Sequence, residues 1–238
     1  MNTVLEEFWQ AYLYSNNGQL SGLAITLWLL ALSLAIGFVL SIFMAIGRNS
    51  KRAYIAKPIW FFTYVFRGTP LYVQILFIYT GMYSLEIIKQ TPALNAFFQS
   101  GFNCMVLALV LNNVAYTTEI FAGAIRQTPA GDIEAARAYG MKKSIIYRRI
   151  ILPSALRRAL PGYSNEIILM LHATSLAFTA TVPDILKIAR DANSATYETF
   201  ASYGIAALIY LSVSFLFVGI FRLLEKRLLA PLQPTTAH

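Results

Sequence analysis

DIEAARAYGMKKSIIYRRIILP, residues 132–153, is the longest hydrophilic interval between the strongly apolar segments of this chain. Its first part reads as a helix. Asp132 is placed to cap it, Ala135, Ala136 and Ala138 are strong helix formers, and Gly140 is placed to end it in a left-handed conformation. That span is about two turns long. Ser144 is placed to start a second short helix, with Pro153 following it. The glycine lets the chain turn sharply away.

What flanks this interval sets the class. Of the 238 residues, 57% are hydrophobic and 13% charged, against about 25% charged in an ordinary soluble domain. Several runs of about 20 apolar residues predict an all-α integral membrane protein. Cys104 is the single cysteine, so no disulfide forms within the chain. His172 and His238 are far apart in sequence and give no support to a metal site. No GxxxxGK[ST] occurs, so no P-loop for ATP is expected here.

Five spans are expected. Residues 1–20 carry Glu6 and Glu7 but no Lys or Arg, which argues against a secretory signal. Phe8, Trp9, Tyr12 and Tyr14 there suit a membrane surface. Span 1 is read from Leu23 to Ile46, followed by a basic loop. A second span starting at Pro58 would carry Arg67 about 15 Å into the bilayer at the helical rise. An in-plane segment over 53–66 with span 2 from Pro70 to Ile88 avoids that cost, and Arg67 then snorkels to the headgroups. Residues 89–101 read as a polar loop, 103–125 as span 3, 161–181 as span 4, 182–199 as a charged loop and 200–221 as span 5. Residues 21–228 then form one transmembrane domain carrying a loop at 126–160, with a tail at 229–238.

The net charge of +8 is distributed by side. Segments 47–69 and 126–160 and the C-terminal end hold sixteen Lys and Arg, and the opposite side holds three. The positive-inside rule therefore puts the N-terminus outside, the C-terminus inside and the 126–160 loop in the cytoplasm. The basic balance reads as topology, and no nucleic-acid partner is expected.

Glu134-Ala135-Ala136, three residues, Gly140, nine residues, Ile150, one residue, Leu152-Pro153 resembles the EAA loop of ABC importer permeases at every fixed position. FRGTPLYVQ (66–74), AYTTEIFAGAIR (115–126) and SNEIILMLHATSLAFTATVPD (164–184) extend the resemblance to the type I permeases for polar amino acids. Of these, the M-type permease subunits of histidine/lysine/arginine/ornithine importers fit best. Many members have Arg at the position of Ala122 and Lys at that of His172. The resemblance covers roughly residues 20–228. It implies that Glu134, Ala135, Ala136, Gly140, Ile150 and Pro153 belong to a helix that sits in a cleft of a cytoplasmic ATPase. It implies a homologous Q-type permease, two ATPase subunits and a periplasmic amino-acid-binding protein as partners, in the bacterial inner membrane. ATP and Mg2+ would be bound by the ATPase, with no cofactor on this chain.

Glu119 and Glu166 are the carboxylates placed deep inside spans, where a charge is costly and faces the bundle interior or a wet cavity. A cationic amino acid needs an acidic partner, so both are candidates for the translocation path. The competing reading pairs each with a helix end or a partner's Arg. Asn112, Asn113, Tyr116 and Ser175 are candidate donors to a carboxylate, or else interhelical hydrogen-bonding groups. Arg67 reads as an interface anchor or a gating contact, and His172 as a packed, hydrogen-bonded group. Arg148-Arg149 and Arg157-Arg158 read as anchors to anionic headgroups. No catalytic residue is expected, and a membrane enzyme is disfavoured. The alternatives are a permease for another polar amino acid such as glutamine or cystine, or a secondary transporter or channel working alone.

Overall fold

The computed structural model describes residues 2–16 and 18–229. It opens with α1 (Asn2–Leu13) and a short antiparallel hairpin of β1 (Ser15–Asn16) and β2 (Gln19–Leu20). There follow α2 (Gly22–Arg48), α3 (Ala53–Gly68), α4 (Leu71–Leu76), α5 (Met82–Ser84), α6 (Glu86–Gln90), α7 (Pro92–Gln99), α8 (Gly101–Arg126), α9 (Ala130–Ala138), α10 (Lys143–Ile146), α11 (Leu152–Ala173), α12 (Ile185–Thr196) and α13 (Thr199–Leu229). Among the described residues three helices, α2, α8 and α13, are long and apolar enough to cross a membrane. A fourth candidate is α3 joined to Leu71–Ser84, a pair bent by 104°. The span read at 161–181 lies instead on the polar-flanked α11 and a 3-10 continuation, Thr174–Ala180.

α8 is the mast of the bundle. Ser100 caps its start by accepting from Asn103 N at 3.3 Å, and Met105, Ala108, Leu109, Asn113 and Ala115 are fully buried along it. α2 lies against it through a face of small residues, Ser33, Gly37, Ser41 and Ala45. Gly37 is required there, because a Cβ would come within 2.1 Å of the Asn113 Oδ1. In lipid such close backbone approach, rather than exclusion of water, favours helix association. Nearer α9, Phe38, Phe121 and Tyr163 bring α2, α8 and α11 together with ring centroids 5.5 to 5.6 Å apart.

α1 and α12 cap the opposite end. Tyr12 on α1 donates to Ser202 O on α13 at 2.9 Å, and Gly22 N donates to Pro183 O at 2.8 Å. Gly22 has a φ of 54°, and a Cβ on it would meet Tyr12 O at 2.0 Å. Asp184 caps α12, accepting from Leu186 N at 3.1 Å and Lys187 N at 3.0 Å, with Tyr210 Oη 3.3 Å away. Burial pushes its carboxyl up from 3.8 to about 7, against the pull of these bonds.

Several local expectations change. α9 begins at Ala130 with Pro129 as its cap, so Asp132 sits in the first turn, where its charge complements the helix dipole. The second short helix starts at Lys143 and does not stop at Pro153. A widened turn over Tyr147–Ile151 carries it into α11, with Leu152 N donating five residues back to Tyr147 O. The wider turn gives the Pro153 ring room that a regular turn denies it. Residues 86–99 are two short helices and not a loop, and most of 182–199 is the amphipathic α12. His238 and residues 230–238 of the expected tail lie outside the described residues.

Candidate functional site

At Thr69 and Pro70 the chain turns sharply between α3 and α4. Gln74 holds this turn. Its Nε2 donates to Phe66 O at 2.8 Å, Thr69 Oγ1 at 2.8 Å and Thr69 O at 3.1 Å. Its Oε1 accepts from Asn112 Nδ2 on α8 at 3.3 Å. Gln74 was not singled out in the sequence, although it closes the FRGTPLYVQ segment. The available signal was a lone amide in an apolar run, which needs a partner wherever it is buried.

The turn presents Arg67 to α8. The Arg67 guanidinium lies 5.2 Å from the centroid of the Tyr116 ring, and Tyr116 Oη donates to Arg67 O at 3.4 Å. Facing them from α11 is Glu166, 6% exposed. Arg67, Asn112, Tyr116, Glu166, Leu169 and Met170 line a cavity of about 390 Å³. Arg67 and Glu166 line the same space without forming an ion pair. A guanidinium and a carboxyl group thus face a space of small-molecule size without meeting in contact. This arrangement suits a ligand carrying both charges.

Three other candidates, Asn113, Ser175 and Glu119, are brought elsewhere. Asn113 is fully buried against Gly37, with neither amide atom hydrogen-bonded. Ser175 sits on the 3-10 stretch and does not line the cavity. Glu119 lies farther toward α9. Its Oε1 accepts from Arg48 Nε at 2.8 Å and Thr63 Oγ1 at 2.9 Å, joining α2, α3 and α8. His172 is exposed, its Nε2 3.1 Å from Ser214 Oγ. Arg158 departs from the headgroup-anchor reading: it bonds Ser154 Oγ at 2.8 Å and Thr128 Oγ1 at 3.0 Å.

α9 has two faces. Ala136 is buried against Ile146, Ile151 and Ala155, while Glu134, Ala135, Ala138 and Tyr139 are exposed, Tyr139 by 89%. Its end is a Schellman cap: Gly140, at φ 72°, donates to Arg137 O at 2.9 Å, and Met141 N donates to Ala136 O at 3.1 Å. Ile150 is half-buried, and Pro153 lies in the first turn of α11. The helix is rigidly mounted by one side and open on the other.

The chain is thus a membrane bundle with a charged groove and a short helix standing out from one end. Residues 37–230 match the family described as binding-protein-dependent transport system inner membrane component. The chain is 62% identical over 238 residues to the histidine/lysine/arginine/ornithine transport system permease protein HisM of Escherichia coli (strain K12), covering 100% of both. It is 42% identical over 206 residues to the octopine transport system permease protein OccM of Rhizobium meliloti, covering 87% of this chain and 84% of that one. Among solved structures it resembles an amino acid ABC transporter crystallised with histidines, at a TM-score of 0.73 and 32% identity, covering 85% of this chain and 90% of the other. The chain belongs to the family of binding-protein-dependent inner-membrane transport components. It is thus an inner-membrane permease of the ABC transporter class, working with an ATPase that binds the ATP and with a binding protein.

Proposed function

We propose that this chain is the M-type permease subunit of an ATP-driven importer for basic amino acids: histidine, lysine, arginine and ornithine. The cavity of Arg67 and Glu166 is the observation that carries the reading. Arg67 takes the α-carboxylate, for which its planar fork is suited. Glu166, with no hydrogen-bonded or ion-paired partner among the described residues, takes a cationic group of the substrate. Tyr116 walls the space, and Asn112 acts through Gln74 to fix the turn that presents Arg67. The names of the relatives agree with a cationic cargo: one carries basic amino acids and another octopine.

We read five spans with the N-terminus outside and the C-terminus inside, the orientation that the sixteen-to-three distribution of Lys and Arg supports. α9 is the coupling helix. Its exposed face, with Glu134, Ala135 and Tyr139, enters a cleft on a cytoplasmic ATPase. Ala136, Gly140, Ile150 and Pro153 hold it to the base of α11. A homologous Q-type permease, two ATPase subunits and a periplasmic binding protein complete the assembly. No bond in the substrate is made or broken. ATP-driven motion biases the equilibrium between outward- and inward-facing states, which substrate shifts only by binding the two unequally.

The test is ATP-dependent uptake of labelled arginine and histidine by the complete assembly in proteoliposomes. Glu166→Gln should lower uptake at limiting substrate by at least about tenfold, the cost of one charge-assisted contact. Wild-type uptake by this variant, or preferred uptake of glutamine by the unaltered assembly, refutes the reading.

A further inference from the structure

Toward α9, the groove between α8 and α11 opens a second time. α8 passes from Tyr116 to Glu119 and Gly123, while α11 runs back from Glu166 to Gly162, Ala159 and Arg158. Between them lies a cavity of about 240 Å³, with Glu119, Gln127 and Arg158 as its polar lining. Glu119 is engaged through one oxygen, Oε1, by Arg48 and Thr63. The other oxygen has no hydrogen bond from any described residue. Arg158 is held in place by Ser154 and Thr128. No described acid forms an ion pair with it, and its Nε is buried without a partner. A guanidinium oriented by two neutral hydroxyls and left without an anion is prepared for a carboxylate.

We propose that this cavity is a second amino-acid station on the coupling-helix side, where Arg158 takes the α-carboxylate of the departing substrate and the free oxygen of Glu119 meets its α-ammonium. This rests on reading the Arg67–Glu166 cavity as the first station. The two differ in charge. The first offers one cation and one anion. At the second, Arg48 already offsets Glu119, while Arg158, and Arg126 two turns beyond Glu119, leave positive charge in excess. Such a site attracts the carboxylate end and repels a cationic side chain. It therefore holds a basic amino acid weakly and favours its release, and it holds histidine with a neutral ring better than arginine.

Ligand-observed saturation-transfer NMR on the purified complete complex, titrated with histidine in the absence of binding protein, reads both stations. The wild type should show a tighter and a weaker phase. Histamine, which lacks the carboxylate, should not compete in the weaker one, and arginine should compete about tenfold less well there than histidine. Arg158→Gln should raise the weaker Kd at least about tenfold and leave the tighter phase. Because Arg158 also steadies the segment around Thr128, Gly123→Leu is the second variant. Gly123 lines the cavity and a Cβ on it meets only Arg126 Nη2, at 3.9 Å, so a larger side chain there takes up cavity space, and it should abolish the weaker phase. A single phase in the wild type, or a weaker phase that survives both variants, overturns the second station. Glu166→Gln is read separately: it should remove the tighter phase alone, and its failure to do so counts against the first station.

Discussion

Arg48, in the last turn of α2, donates to Oε1 of Glu119, seven residues before the end of α8, across 2.8 Å. Thr63 of α3 donates to the same oxygen. One carboxylate thus gathers three helices just above α9. The short link at 127–129 joins α8 to α9, so this junction is placed to pass a displacement of α9 on to α2 and α3.

Breaking the junction should therefore uncouple as well as destabilise. Glu119→Gln or Arg48→Gln should each cost about 1–3 kcal/mol, the range for a hydrogen bond to a charged group and its orphaned partner. The double variant should cost less than the sum, with a coupling energy of at least about 0.5 kcal/mol in thermal unfolding. ATP hydrolysed per amino acid imported should rise in both single variants.

Gln74 serves the cavity without touching its contents. Gln74→Leu removes the donor to Phe66 O and Thr69 and leaves Asn112 unpaired. A cost of about 1–3 kcal/mol is expected. Uptake at limiting arginine should fall more than uptake at saturation, since Arg67 is displaced while α9 is untouched.

Gly37 and Asn113 form a lock of space rather than chemistry. Gly37→Ala should destabilise by about 1–3 kcal/mol through overpacking, because its Cβ would come within 2.1 Å of Asn113 Oδ1. Asn113→Ala should rescue it, which a substrate-binding role for Asn113 does not predict. The double variant should recover both melting temperature and uptake.

Asp184 makes the outer cap sensitive to pH. Its carboxyl lies near 7 in the fold against an ordinary 3.8, so between those values the folded protein holds a proton that the unfolded chain has lost. Stability from this group is complete below about pH 4 and is lost as pH rises through about 7. Asp184→Asn keeps a good cap. It should flatten the pH dependence of the melting temperature over this range and raise it above pH 7.

The sequence made the long helices plain and the site only half so. α2, α8 and α13 announce themselves because bilayer thickness demands about 20 apolar residues in each. The loop at 132–153 was legible through Ala135, Ala136 and Gly140, whose conformational preferences survive in any context. Glu166 and Tyr116, which line the first cavity, were singled out because polar groups in apolar runs are conspicuous. The rest depends on partners distant in sequence. Glu119 has the same local signature as Glu166, and only the approach of Arg48 and Thr63 takes it away from the first cavity. Arg67 read as an interface anchor or a gating contact: the break before Pro70 was legible, but nothing local shows that the turn folds Arg67 over Tyr116. Pro153 and Pro161 read as boundaries, yet both lie within α11.

That ATP-driven motion enters the chain at α9 is the claim on which the rest hangs. Cys104 is buried and is the only native cysteine, so Tyr139→Cys provides a single exposed thiol on the outer face of the helix. Thiol cross-linking in the assembled complex, in sealed membranes, is the direct measurement. The account predicts a cross-link to the ATPase subunit that changes in yield when nucleotide is added. A thiol that labels from the external side, or that never cross-links to the ATPase, contradicts it.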